Sequence, residues 1–171
     1  APQALLPFHH RATFDLNAPS EEAEMFRLHD LWKSFRKVSG RLRLVPLNGG
    51  TVADYRAALR SVLTSQPIDV AYLAMAASDF EPEPFRGKLD SEADELVVRC
   101  RPTPKVIRSV KDWSPGTYLV GFKLLSGAED ATLIREAEAA CGINRADLTV
   151  ANDLQTVLAG RHRIHLVRLG G

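Results

Sequence analysis

The sequence predicts an α/β fold with a mostly parallel central sheet, and three observations carry that reading. The runs IDVAYLAMAA (68–77) and TYLVGFKLL (117–125) are mostly apolar without strict alternation, as strands buried on both faces are. Segments of helical periodicity alternate with the strand-like runs, which favours parallel connections. A chain of 171 residues is also long enough for one domain with a proper core. We therefore expect a single three-layer, Rossmann-like α/β domain over residues 1–171, with a smaller, more exposed strand region beside the sheet.

Each element follows from its own signals. Ser20 is an N-cap, and Glu21 and Glu22 put negative charge in the first turn of a helix, where its dipole favours it. Met25, Leu28, Trp32 and Phe35 recur at helical spacing and are expected to face the core. RLRLVPL (41–47) alternates and reads as a short strand that Pro46 confines to an edge or an end. Thr51 and Asp54 have near capping-box spacing, Val52, Tyr55, Leu59 and Val62 make one helix face, and Gln66 and Pro67 stop the helix. Ile68–Ala77 and Tyr118–Lys123 are expected as neighbouring central strands. DELVVRC (94–100) alternates as a more exposed strand would. Thr103 and Pro104 suit the start of a helix with Val106, Ile107, Val110 and Trp113 inside. A helix through Leu133, Ile134, Ala137 and Ala140 is expected to end at Gly142. DLTVAND and HRIHLVRL supply two further strands.

Composition narrows the function classes. A formal net charge of +1 argues against non-specific nucleic-acid binding by the whole surface. Cys100 and Cys141 lack metal-site spacing, and their apolar contexts point to free, buried thiols in a reducing compartment. No apolar run has membrane-span length, and APQALLPFHH lacks the pattern of a signal peptide, so a cytoplasmic protein is expected.

No GxGxxG, GxxxxGK[ST], GxSxG or HExxH is present. LNGG (47–50) reads as a turn. His9 and His10 are adjacent, and His162 and His165 point to opposite faces of a strand, so neither pair forms a metal site. No metal ligands are therefore assigned. Ligands in such sheets bind at the carboxyl ends of strands, here Ser78–Lys88, Phe122–Ser126 and Asn152–Gln155. Asp79 follows a buried strand, where a carboxylate binds a sugar hydroxyl or caps the next turn. Lys88 stands in SDFEPEPFRGKLDS, between a solvated surface role and a lid closing over an anion. Arg99, Arg101, Lys105, Arg108 and Lys111 form a basic series with no acid among them, either a solvated face or an anion site.

AMAASDFEPEP, GKLDS, RPTPKVIRSVKDWSP, LVGFKLLSG and ADLTVANDL, in this order and spacing, resemble phosphopantothenate–cysteine ligase (phosphopantothenoylcysteine synthetase), in its free-standing bacterial form. The resemblance runs from about Ile68 to Val167. It implies coenzyme A synthesis. ATP or CTP with Mg²⁺ would activate the carboxylate of 4′-phosphopantothenate as an acyl-nucleotidylate, and cysteine would displace the nucleotide. On matching positions it implies ribose binding by Asp79 and a catalytic lid lysine at Lys88, within a mobile segment 81–93. Ala76, Pro104, Lys105, Val106, Ile107 and Phe122 would complete the nucleotide site, and Asn152 and Asp153 would wall the substrate cleft. It also implies a homodimer involving DELVVRC, with no nucleic acid or membrane partner. The family's opening strand, Gly-rich phosphate turn and asparagine, and its closing helix, have no counterpart in these residues. The lysines that usually precede the ADL strand in that family are missing, with Ile143 and Asn144 in their place and Arg145 as the candidate substitute. The features expected here are thus those of the nucleotide side and the scaffold.

Two other readings compete. One is a catalytically silent nucleotide-binding or dimer-forming scaffold. The other is a nicotinamide-dependent oxidoreductase, which lacks both the glycine fingerprint and a Tyr-Lys pair at helical spacing.

Overall fold

The computed structural model describes residues 12–47, 49–85, 87–88, 94–158 and 163–170. They belong to two compact units, Ala1–Asn48 and Gly49–Gly171. The α/β architecture is that of the second unit, whereas the first is helical.

In the first unit, α1 (Glu21–Val38) starts as expected, with the Ser20 hydroxyl accepting the Ala23 N–H, and a 3₁₀ turn (Ser39–Arg41) follows it. Its expected core face is not buried. Met25 and Trp32 are exposed, and Leu28 and Phe35 only half-buried. The buried residue is Glu24, which accepts hydrogen bonds from the Asp15 N–H (2.8 Å) and the Arg27 Nε (2.7 Å). Arg27 also donates to the carbonyl of Thr13. This polar clasp, not an apolar stripe, ties the segment before α1 to the helix. Residues 42–47 form no strand. Alternation in so short a segment, interrupted by Pro46, does not supply a partner for its backbone groups.

The second unit opens with α2 (Val52–Ser65), held by the full Thr51–Asp54 capping box and buried at Leu63. Then come β1 (Val70–Tyr72), β2 (Phe80–Pro82), β3 (Cys100–Pro102), a 3₁₀ turn (Val106–Ser109), α3 (Val110–Trp113) and β4 (Tyr118–Leu125). The chain continues through α4 (Asp130–Asn144), β5 (Leu148–Asp153), α5 (Leu154–Leu158) and β6 (Ile164–Val167). The main sheet has the order β1-β4-β5-β6, parallel except for β6, and β2 pairs with β3 in a small antiparallel sheet. An α/β fold with a mostly parallel sheet and a smaller strand region is therefore observed.

Register explains the core. Ala71 pairs with Leu119, Gly121 with Thr149, and Thr149 with Val167, so these side chains share one face of the sheet. Leu63 of α2 and Val110 of α3 pack with Ala71 and Leu119, while Leu133 and Ala137 of α4 pack with Ala151 and Val167. The opposite face presents Tyr72, Phe122, Leu124, Ile164 and Leu166, all exposed.

Several expectations are corrected here. β1 does neighbour β4, but among the described residues it is the edge strand, and Val70 and Tyr72 are exposed. Its apolar run supplies only Ala71 to the buried core, with Ile68 and Leu73 partly buried against it. Of DELVVRC only Cys100 lies in a strand, with Leu96, Val97 and Val98 exposed outside it. Thr103 does not cap a helix. Its hydroxyl donates to the Ser78 carbonyl, its N–H donates to the Asp79 carbonyl, and the helix starts as a 3₁₀ turn at Val106. Helix α4 runs past Gly142 and ends at Arg145, which takes the left-handed conformation (φ 54°). The N–H groups of Arg145 and Ala146 close on the carbonyls of Gly142 and Cys141, the pattern of a Schellman motif usually supplied by glycine. Cys141 is buried as expected, its thiol against the Thr149 hydroxyl (3.0 Å), but Cys100 is exposed. His9, His10, His162, Arg86 and residues 89–93 lie outside the described residues. Of the expected lid, Glu81 and Pro82 stand in β2, opposite Arg101 and Cys100.

Candidate functional site

The chain leaving β1 turns sharply before β2, and Ser78 organises the turn. Its hydroxyl donates to the Phe80 carbonyl (2.5 Å) and accepts the Phe80 N–H (3.3 Å). The bonds from Thr103 to Ser78 and Asp79 then fasten this turn to the segment after β3. Capping is thus performed by Ser78, and the Asp79 carboxylate is left free of that task. Instead it pairs with the Lys105 ammonium, and Asp79 remains largely exposed.

These segments enclose a cleft of about 230 Å³. Asp79, Pro104, Lys105, Val106, Ile107 and Phe122, six residues singled out from the sequence, all line it. They arrive from three places: the exit of β1, the segment entering the 3₁₀ turn, and the middle of β4. Val106 is buried and anchors its segment, so Pro104 and Lys105 are held at the rim. Gly121 lets Ile107 approach β4, since a Cβ there would lie 3.2 Å from Ile107 Cδ1. The cleft combines apolar residues such as Leu73, Ile107 and Phe122 with the Asp79–Lys105 pair and the polar residues Tyr55, Ser78, Thr103 and Asn144. Such a site suits a flat apolar group joined to a neutral polar edge.

Ala76 is exposed between two lining residues, Met75 and Ala77, without itself lining the cleft. Lys88 is also exposed and lies outside that lining. Asn152 and Asp153 are elsewhere. Asp153 helps line a separate cavity of about 440 Å³ with Gly127, Gln155 and Arg163, past the ends of β4 and β5. Its buried carboxylate accepts the N–H of Ala128 (3.0 Å) and of Gln155 (2.8 Å). The hydrogen bond from Ala128, with others from the backbone, outweighs burial and holds this carboxyl below its ordinary value. Asp153 is thereby committed to the loop, while Asn152 points from the opposite face of β5.

The basic series is mostly accounted for by partners distant in sequence. Arg101 pairs with Glu81 (2.8 Å), Lys105 with Asp79, and Lys111 with Asp147 (2.6 Å). The missing acids were on other elements. Ser78 opens the stretch expected to bind ligand, but Tyr55 and Thr103 were not anticipated in the cleft. Tyr55 carried the signal of a helix core face, and a turn fastened across 25 residues leaves no local signal. Among the described residues no three His, Cys, Asp or Glu side chains converge to hold a metal ion, and no helix is long and apolar enough to cross a membrane.

Comparison with known proteins adds the family. Among curated proteins, the chain is 35% identical over 117 residues to the coenzyme A biosynthesis bifunctional protein CoaBC of Thermococcus kodakarensis, covering 68% of this chain and 29% of that protein. It is 28% identical over 133 residues to mouse phosphopantothenate--cysteine ligase, covering 73% of this chain and 42% of the relative. The chain therefore spans less than half the length of these relatives. Among solved structures, the DNA/pantothenate metabolism flavoprotein of Streptococcus pneumoniae superposes with a TM-score of 0.64 at 27% identity, over 71% of this chain and 61% of that one. A variant of Cab2 in complex with phosphopantothenate-cysteine gives a TM-score of 0.71 at 23% identity, over 90% of this chain and 53% of the other, a likeness of fold. The model of the DNA/pantothenate metabolism flavoprotein C-terminal domain matches residues 45–167, and the chain belongs to that family.

Proposed function

We propose that this chain carries the nucleotide side of a phosphopantothenate–cysteine ligase. The observation that carries the proposal is the convergence of Asp79, Lys105, Pro104, Ile107 and Phe122 on one cleft, in a member of a family whose relatives bear that name. In the reaction, the carboxylate of 4′-phosphopantothenate attacks the α-phosphorus of ATP or CTP and pyrophosphate leaves. The amine of cysteine then attacks the acyl carbon, the nucleoside monophosphate departs, and an amide remains. Placing the reactants and neutralising phosphate charge are the main demands.

The residues divide that work. The paired Asp79 and Lys105 present an acceptor and a donor with little net charge, which matches the neutral hydroxyls of a ribose. Pro104, Ile107 and Phe122 give base and sugar an apolar wall, with Ala76 allowing close approach beside it. Lys88 is the charge proposed to meet the phosphates, and Asn152 and Asp153 remain the proposed wall on the pantothenate side. Mg²⁺ would be held by the nucleotide's own oxygens and water, as it commonly is. A cytoplasmic homodimer completes the proposal.

Calorimetric titration with Mg²⁺-ATP and Mg²⁺-CTP tests it. Binding of one of them, weakened about tenfold by Asp79→Asn, is expected for a hydrogen-bonded ribose site. No binding of either at millimolar concentration would overturn the reading. Binding without amide formation in the whole protein would instead fit the silent scaffold.

A further inference from the structure

We propose that a groove along the outer side of α2 is a second anion site, distinct from the nucleotide cleft, for a small molecule bearing a phosphate or diphosphate group. The groove encloses about 640 Å³. Arg56, Arg60, Ser61 and Thr64 of α2 form one side, and Glu81 and Pro104 form the other. Among the described residues, Pro104 is the only one that lines both this groove and the cleft of Asp79.

The electrostatics of the groove are unbalanced. Arg56 and Arg60 are four residues apart, so they project from the same helix face, and like charges at that spacing disfavour the helix. The carboxylate across the groove, Glu81, already accepts from Arg101 Nε at 2.8 Å. Asp54, the acid on the same helix, is closed into its capping box with Thr51. No ion pair to the Arg60 side chain is found among the described residues. Among the described residues the Arg60 charge therefore stands uncompensated in the groove.

One of the two cations is already positioned. The Arg56 guanidinium lies over the Trp113 ring, 5.5 Å from its centroid, and Trp113 packs against the core formed by Leu63, Val110 and Leu119. A guanidinium stacked on an aromatic face keeps its N–H edge available, and that edge matches the oxygens of a phosphate. Less ordering is then needed when the anion arrives. The volume of the groove suits a small molecule.

The test uses the full chain with Trp32→Phe, which leaves Trp113 as the one tryptophan, and inorganic pyrophosphate as the probe. Saturable change in Trp113 emission is expected, with the affinity confirmed by calorimetry because Arg56→Gln also removes the stacked reporter. Arg60→Gln and Arg56→Gln should each weaken binding about tenfold, the scale of a charge-assisted contact. Lys88→Gln, which removes the charge proposed to meet the nucleotide's phosphates, should leave it unchanged. Both arginines are exposed, and Arg60→Gln alone carries the test if Arg56→Gln alters the melting temperature. Three results overturn the proposal: no saturation below about 10 mM, the weak end of specific binding; full affinity in Arg60→Gln; or loss of binding in Lys88→Gln, which would assign the anion to the phosphate side of the nucleotide cleft.

Discussion

Asp147 and Leu119 are bound to each other twice. The Asp147 N–H donates to the Leu119 carbonyl (2.9 Å), and the Leu119 N–H donates to the Asp147 carboxylate (2.6 Å). A side chain thus replaces a backbone acceptor where β4 and β5 begin to pair. The same oxygen, Oδ2, receives the Lys111 ammonium at 2.6 Å, and Lys111 also donates to the Thr117 carbonyl.

Asp147→Ala should therefore cost about 2 kcal/mol, because it strands a strand N–H and a half-buried ammonium together. Burial raises the Asp147 pKa, but the hydrogen bonds from Lys111 and Leu119 outweigh it and hold the value below the ordinary one. Its contribution should be complete above the ordinary carboxylate range and disappear as pH falls through the lower folded value. Urea melts of wild type and Asp147→Ala should converge in acid. Parallel pH dependences would contradict this.

Lys88 separates an active ligase from a silent scaffold. A lysine about 4 Å from a phosphate gains roughly 4 kcal/mol at an effective dielectric near 20, and solvation and loop ordering leave about 2–3. On the proposed ligase reading, Lys88→Gln in the whole protein should slow amide formation roughly 30- to 150-fold. The melting temperature should hold, since the residue is exposed. Unchanged turnover would make Lys88 an ordinary surface lysine.

The Glu24 clasp makes the helical unit acid-sensitive. Its hydrogen bond with Arg27, helped by the Asp15 N–H, lowers the carboxyl from 4.5 to about 2. The stabilisation should be present in full above the unfolded value and lost as pH falls toward the folded one. Far-ultraviolet dichroism of a peptide spanning residues 12–47 should show helix loss in that window, reduced in Glu24→Gln. Equal acid loss in both would contradict the assignment.

Arg145 sets backbone strain against side-chain contacts. The left-handed conformation costs a non-glycine residue about 1–2 kcal/mol. Against this stand hydrogen bonds to the Arg108 carbonyl (2.9 Å) and to exposed Asp112 (2.6 Å), each worth less in water. Arg145→Gly should be at least as stable as wild type, and Arg145→Ala less stable by about 1 kcal/mol. Thermal melts giving the reverse order would show that the contacts outweigh the strain.

Legibility from sequence followed the distance over which each element is decided. Ser20 and the Thr51–Asp54 box act within one helical turn, and both helices begin where those residues place them. β4 and β5 were visible because their apolar runs supply Leu119, Val120 and Ala151 to the interior. Thr103 was misread because its hydroxyl serves Ser78 instead of the turn beside it. Gly142 had the right chemistry for a helix end, but the chain closes three residues later on Arg145. The cleft residues were named through resemblance, whereas the pairing of Lys105 with Asp79 required the fold.

The contrast between the two cysteines gives this protein an internal clock. Cys100 meets solvent, and Cys141 is fully enclosed, with its thiol bonded to Thr149 and the Val167 carbonyl. An alkylating reagent should therefore consume one thiol at the chemical rate of an open cysteine. The second should be consumed only when α4 lifts from β5 and β6. The interval between the two additions, followed by mass, would time the opening of the sheet without any engineered label.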